Sequence, residues 1–209
     1  MNEEKRNANL LRGMFDSAVI YFQRHIESVN ALNVFPVPDK DTGTNMYQTL
    51  KNMKIGIARE QTDRERKIYE DNRDETANRL QRSLSDLEDL SLRLWVASFF
   101  AAKGNSGSIL AHVFKGIFEG LTRSELVDVS ILVKAKEEAY STFPDPVEGT
   151  MLTVLRDLAT ESVNRSVPGV SICDSFNSMI EIARISVDST PSLLSILKES
   201  GVVDSGGYG

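Results

Sequence analysis

The sequence predicts an all-α domain of about eight helices. Apolar residues recur at steps of three and four along most of the 209 residues, the spacing that lines one face of an α-helix. Strand-like alternation appears nowhere convincingly, and short polar stretches carrying glycine or proline separate the apolar stripes.

The first stripe is Leu11, Phe15, Val19, Phe22, Ile26 and Val29. Phe35-Pro36-Val37-Pro38 ends it, because proline has no N–H and forces the residue before it out of the helical region, so a loop is expected from about Asn33 to Gly43. Helical spacing resumes at Met46, Leu50, Met53 and Ile57. From Arg59 to Arg82, 14 of 24 residues are charged, a composition that fits a solvated helix extension or a mobile insertion. Leu84, Leu87, Leu94, Trp95, Val96, Phe99 and Phe100 predict a largely buried helix that stops at Gly104-Asn105-Ser106-Gly107. Leu110, Val113, Phe114, Ile117, Phe118 and Leu121 give the next, and Ser124 to Tyr140 another, broken by Pro144 and Pro146. Gly149-Thr150 opens a helix through Met151, Leu155 and Leu158 to about Ser162, and Ser175 to Val187 follows. Thr190-Pro191, a capping hydroxyl before a proline at the first helical position, predicts a short last helix ending near Gly201.

Composition bounds the function. Apolar residues make up 41% of the chain, enough for a core without disulfides or a structural metal. With 24 basic and 30 acidic residues the net charge is −6, which lacks the basic footprint of a nucleic-acid binder. Cys173 is the only cysteine, so no intrachain disulfide and no cysteine-type zinc site can form. The charged start, MNEEKRNANLLRG, does not read as a signal peptide, and no window approaches a membrane span. A soluble, cytoplasmic protein is expected.

Chemistry concentrates where helices begin. Asp39-Lys40-Asp41-Thr42-Gly43-Thr44-Asn45, Gly104-Asn105-Ser106-Gly107, Glu148-Gly149-Thr150 and Asp204-Ser205-Gly206-Gly207 are small, polar and glycine-bearing. The first three precede apolar helices, whose N-termini expose unpaired N–H groups and partial positive charge suited to phosphate. In an up-and-down bundle alternate helices start at the same end, so converging loops would form one polyphosphate pocket. Asp39 and Asp41, on the same side of an extended loop with Lys40 opposite, suit magnesium, which takes hard oxygen ligands together with substrate phosphate. An EF-hand fails, because its twelfth position would be Leu50. Plain helix capping by these aspartates, and a simple helix–helix turn at residues 104–107, remain open alternatives. No Walker A motif and no GxGxxG after a strand are present. His25 and His112 fall within amphipathic helices without a catalytic partner in sequence, and Ser195-Ile196-Leu197-Lys198 matches S-x-x-K without its companion motifs.

ALNVFPVPDKDTGTNM (residues 31–46), AAKGNSGSIL (101–110), PVEGTMLTVLRD (146–157) and GVVDSGGYG (201–209) together resemble the four signature segments of the nucleotide-binding L domain of dihydroxyacetone kinases, in the family's order, and are most similar to its version at the N-terminus of bacterial fatty acid kinase. The resemblance covers the chain except residues 59–82. It implies one domain over residues 1–209, an all-α barrel of eight antiparallel helices with ATP or ADP and two magnesium ions at one end. Asp39 and Asp41 would hold metal and carry the chemistry, with Asn33 near a third ligand position. Thr44, Asn45 and Gly104, Asn105, Ser106 and Gly107 would lie at the phosphates, Thr150 and Met151 beside the nucleoside, and Asp204, Gly206 and Gly207 on a closing loop. Lys40 stands where fatty acid kinases usually have glycine, unfavourable for lysine if the loop needs positive φ, Lys103 replaces the usual arginine, and Ser205 stands where alanine is common. The implied activity is an ATP-dependent kinase acting on a carboxylate presented by a separate fatty-acid-binding protein. Further domains, through which a homodimer could form, would complete it. Two alternatives stand beside it, an L subunit holding ADP for a phosphocarrier and a helical adaptor that has lost the nucleotide.

Overall fold

The computed structural model describes residues 3–58, 86–123, 131–164 and 172–209. Among the described residues there are ten α-helices and no strand: α1 (Glu3–Gln23), α2 (Ile26–Ala31), α3 (Thr42–Ala58), α4 (Asp86–Ala101), α5 (Gly104–Arg123), α6 (Ile131–Thr142), α7 (Met151–Asn164), α8 (Ile172–Leu193), α9 (Ser195–Ser200) and α10 (Ser205–Tyr208). The charged stretch 59–82, and residues 124–130 of the helix expected to begin at Ser124, lie outside the described residues.

The stripe in the first helix behaves as its spacing demands. Leu11, Phe15, Val19, Phe22 and Val29 are buried with Met46, Leu50 and Met53 of α3, Leu94 of α4 and Phe118 of α5 in one core cluster. Phe114 ties the cluster together, meeting Phe15 edge-on at 5.7 Å and stacking on Phe118 at 5.5 Å, geometries that favour aromatic pairs beyond their area. From α3 onward each long helix packs against the next, and α10 returns from α7 to touch α2 and α3. At the α5–α6 crossing a Cβ on Gly116 would lie 2.5 Å from Ala135 Cα and from the Lys134 carbonyl oxygen, so glycine sets how closely the two backbones approach.

Three expectations are corrected. The single helix predicted over residues 11–29 is broken at Arg24–His25, where Arg24 N–H bonds the Tyr21 carbonyl and His25 N–H the Phe22 carbonyl. These three-residue steps tighten the turn while keeping Val29 on the buried side. In the helix before Gly104 burial is confined to one face among the described side chains, with Leu84, Leu87 and Trp95 of the predicted stripe lying outside them. Leu94, Ser98 and Ala101 point inward, whereas Phe99 and Phe100 are 70% and 80% exposed, because their positions fall off that stripe of three- and four-residue steps. Finally, Thr190-Pro191 does not start a helix, since α8 runs through Pro191 to Leu193. The Val187 carbonyl, which loses its usual N–H partner to the proline, accepts instead from the Thr190 hydroxyl at 2.7 Å. The short helix that follows, α9, ends at Gly201 in left-handed conformation, with Val202 N–H bonding the Leu197 carbonyl.

Candidate functional site: four loops at one end of the helices

The α2–α3 loop is built around Asn33. This side chain is 2% exposed; its amide donates to the carbonyls of Phe35 (3.3 Å) and Val37 (3.1 Å), and its oxygen accepts the Asp41 N–H (3.1 Å). Placed as a neighbour of the third metal position, Asn33 in the structure holds the loop in shape. Lys40 lies at φ +58, so the backbone is not extended there, and the expected alternation of Asp39 and Asp41 opposite Lys40 does not apply. The positive φ explains why glycine suits this position.

Capping of α3 falls to a residue outside the motif. Asn30, 8% exposed, accepts the Thr44 N–H (3.1 Å) and donates to the Thr44 hydroxyl (3.0 Å). The Asp41 carbonyl accepts the Asn45 N–H (2.8 Å), so Asp41 stands at the N-cap position. Among the described residues, however, neither the Asp39 nor the Asp41 carboxylate has a hydrogen bond or ion pair with the protein. Asn30 was missed in the sequence because it follows Val29 on a helical stripe; a polar residue beside a fully buried one was the available signal.

Gly104-Asn105-Ser106-Gly107 is the first turn of α5 rather than a connector before it, since Gly107 N–H already bonds the Lys103 carbonyl at 3.0 Å. Gly104 lies at φ +60, and a Cβ there would come within 2.5 Å of Asn45 Nδ2. A Cβ on Gly107 would come within 2.3 Å of Thr49 Oγ1. Thr49, completely buried, takes the Lys103 N–H (3.2 Å) and donates to the Asn45 carbonyl (2.8 Å). Close approach of α3 and α5 thus requires both glycines. Ser106 Oγ reaches the Thr42 carbonyl (3.5 Å), and Ser205 Oγ the Thr42 hydroxyl (3.3 Å), so the first, second and fourth motifs meet at Thr42. Among the described residues the N–H groups of Gly104, Asn105 and Ser106 have no acceptor.

The other two motifs are joined by Asp204. Its carboxylate accepts from Gly207 N–H (2.7 Å) and from the backbone of Met151 and Gly206, and its own N–H bonds the Thr190 hydroxyl (3.0 Å). Burial pushes the Asp204 carboxyl above the usual carboxylate range, opposed by those three N–H donors. Met151, Gly206 and Gly207 therefore turn their N–H groups to Asp204, forming a wall of the site. Thr150 accepts the Leu152 N–H (3.3 Å) and donates to the Val147 carbonyl (2.7 Å), capping α7 on itself.

Neither histidine joins this end chemically, each imidazole Nδ1 meeting the carbonyl one turn back in its own helix: His25 with Tyr21 (2.9 Å) and His112 with Ser108 (2.8 Å). Nor does a groove of about 540 Å³ between α7 and α8, lined by Arg156, Asp157, Ile182, Ile185 and Ser186 among others, include any of the predicted residues. Among the described residues no group of three or more histidine, cysteine or acidic side chains has the arrangement of a metal centre.

The DAK2 domain family matches residues 72–209, which takes in three of the four motifs. The chain belongs to the DAK2 domain family. Relatives extend the similarity over the first motif as well. A Staphylococcus epidermidis protein described only as uncharacterized is 32% identical over 209 residues, 98% of this chain and 34% of its own length. The Mycoplasma pneumoniae protein called uncharacterized protein MG369 homolog is 34% identical over 197 residues, 88% of this chain and 31% of its own. This DAK2 domain thus spans about a third of the curated relatives it matches. DAK2 domains are nucleotide-binding L domains of the dihydroxyacetone kinase kind. Among the described residues no helix of this one is long and apolar enough to cross a membrane.

Proposed function

We propose that this DAK2 domain binds ATP with magnesium at the α3–α5 end and serves as the phosphoryl-transfer domain of a fatty acid kinase-like protein. The observation that carries the reading is a pair of carboxylates, Asp39 and Asp41, with no hydrogen-bond or ion-pair partner among the described residues, joined through Thr42 to a helix start whose first N–H groups have no acceptor among them either. A cap would have used the aspartates, and Asn30 has taken that role. Acidic side chains left without cations beside free N–H donors fit a ligand that brings both positive and negative charge, which is what a magnesium polyphosphate is. Asp39 and Asp41 would hold magnesium, which would supply charge neutralisation for transfer.

The chain's own part is to position. Gly104, Asn105 and Ser106 offer N–H groups to phosphate oxygens, and Thr44, whose hydroxyl oxygen already accepts from Asn30, retains its proton to donate. Asp204 and Met151 close the side assigned to the nucleoside. Phosphoryl transfer depends mainly on such placement and charge, so no protein nucleophile is required. The acceptor, in this proposal, is a carboxylate delivered by a fatty-acid-binding partner, since an acyl chain needs a sizeable apolar pocket and the groove beside α7 and α8 includes none of the residues assigned to the nucleotide. Calorimetry of ATP binding with and without magnesium tests the reading. Magnesium-dependent binding is expected, and no binding in either condition sinks it.

A further inference from the structure

The turn before α7 is held by a relay of side chains, Glu148, Thr153 and Arg156, to which no role at the site has been given. Gly149 lies at φ +85, and a Cβ there would sit 2.8 Å from Leu194 Cβ, so the turn is fixed from outside. It is fixed from inside by Thr153, a completely buried residue whose hydroxyl oxygen accepts the Gly149 N–H at 2.7 Å. A threonine hydroxyl in a helix ordinarily turns its proton to the carbonyl of residue i−4, which here would be Gly149 itself. Instead that proton goes to Glu148 Oε2 at 2.5 Å, leaving a lone pair aimed at the Gly149 amide. Glu148 is held in turn by Arg156 Nη1 one turn further along α7 (2.5 Å) and by the Tyr140 hydroxyl of α6 (3.1 Å), whose single proton it shares with the Leu152 carbonyl (3.0 Å). Arg156 is steadied by Asp157. The Glu148–Arg156 ion pair is about 40% exposed on both sides, so its own Coulomb energy counts for little. What matters is the direction it gives to one buried hydroxyl.

We propose that Glu148 is a positioning residue of the nucleotide site: by accepting the Thr153 hydroxyl proton it orients that oxygen toward Gly149 and fixes the Gly149–Thr150 turn in its binding shape. This rests on the reading of Thr150 and Met151 as the nucleoside side of the site. The same turn sets the start of α7, where Met151 meets Asp204, so a loosened turn disturbs two walls at once.

The test uses the whole chain, in variants shown by circular dichroism to be folded. Glu148→Ala and Thr153→Val are each expected to weaken magnesium-ATP binding roughly tenfold, the usual size when an outer hydrogen-bonding partner of a site is removed. Their double variant is expected to be no worse than either, because both break one relay. Glu148→Gln keeps an oxygen for Thr153 and is expected to stay within about twofold of the parent. Unchanged binding in a folded Glu148→Ala, or a Gln variant as weak as the Ala variant, overturns the proposal. A purely structural role would lower the melting temperature without this rescue pattern. Amide exchange at Gly149 in the nucleotide-free protein separates the two readings. If the parent binds no nucleotide, the function assigned above fails; faster exchange in Glu148→Ala still supports the relay, and unchanged exchange refutes it.

Discussion

Lys40 offers the sharpest test of how the metal-side loop is built. Its φ of +58 places a Cβ in the left-handed region, which costs an L-residue about 1–2 kcal/mol. Replacing it with glycine removes that strain and returns about 0.4–1 kcal/mol of extra freedom to the unfolded chain. The expected net effect of Lys40→Gly is a stabilisation of about 0.5–1 kcal/mol, or roughly 1–4 °C in melting temperature for a chain of this size. Lys40→Ala is the necessary control, because it removes the same charge and keeps the Cβ; its stability should stay within about 0.5 kcal/mol of the parent. Both variants remove a cation that lies between Asp39 and Asp41 in the chain, which favours magnesium at the carboxylates and disfavours the polyphosphate, so both should bind magnesium-ATP within about threefold of the parent at low salt and equally to one another. Urea unfolding and calorimetry on the three proteins read the two terms separately. If glycine and alanine give equal stability, or glycine destabilises, the backbone argument is wrong. A tenfold loss of ATP affinity in both variants would mean that Lys40 itself touches phosphate.

Other consequences are as direct. Changing Asp39 and Asp41 together to Asn should abolish magnesium-dependent ATP binding with the fold intact, as neutral amides give a divalent ion little charge compensation; undiminished binding by calorimetry would move the metal elsewhere. Gly116→Ala drives a Cβ into the α6 backbone at Ala135 and should cost about 1–3 kcal/mol by overpacking, read as a fall in the urea midpoint; an unchanged midpoint would mean the α5–α6 crossing is looser than drawn. The buried Asp204 carboxyl has a folded pKa raised above its unfolded value of about 3.9, so its ionisation linkage contributes stability that is fully present below that value and is lost as pH rises through the folded pKa. The stability difference between the parent and Asp204→Asn should therefore be most favourable to the parent in acid and decline above about pH 4; a difference independent of pH in urea titrations would show that Asp204 is not desolvated. The Tyr140 hydroxyl, pushed up to about 12 by burial and then by Glu148, should ionise late in an alkaline absorbance titration and move down when Glu148 becomes alanine.

The sequence by itself determined the helical class, much of the core and the places where helices begin. Leu11, Phe15, Val19 and Phe22 are buried together because a repeat of three and four is a property of the chain before it folds. Three of the four polar motifs were equally legible, since glycine and small hydroxyl residues before an apolar stripe mark a helix start whatever lies around it. Even the strain at Lys40 was foreseeable from the glycine expected there. What the tertiary structure decided is which polar atom meets which. That Asn30 caps α3 and frees two aspartates, that Asp204 takes the N–H groups of Met151, Gly206 and Gly207, and that Glu148 directs a threonine toward Gly149 are all choices between acceptors. Several acceptors compete for each donor, and nothing in local spacing ranks them. Pro191 inside a helix has the same origin. Propensity fixes what a residue prefers alone, while packing against distant segments fixes which preference is overruled, as when a threonine hydroxyl takes over the bond that a proline cannot make.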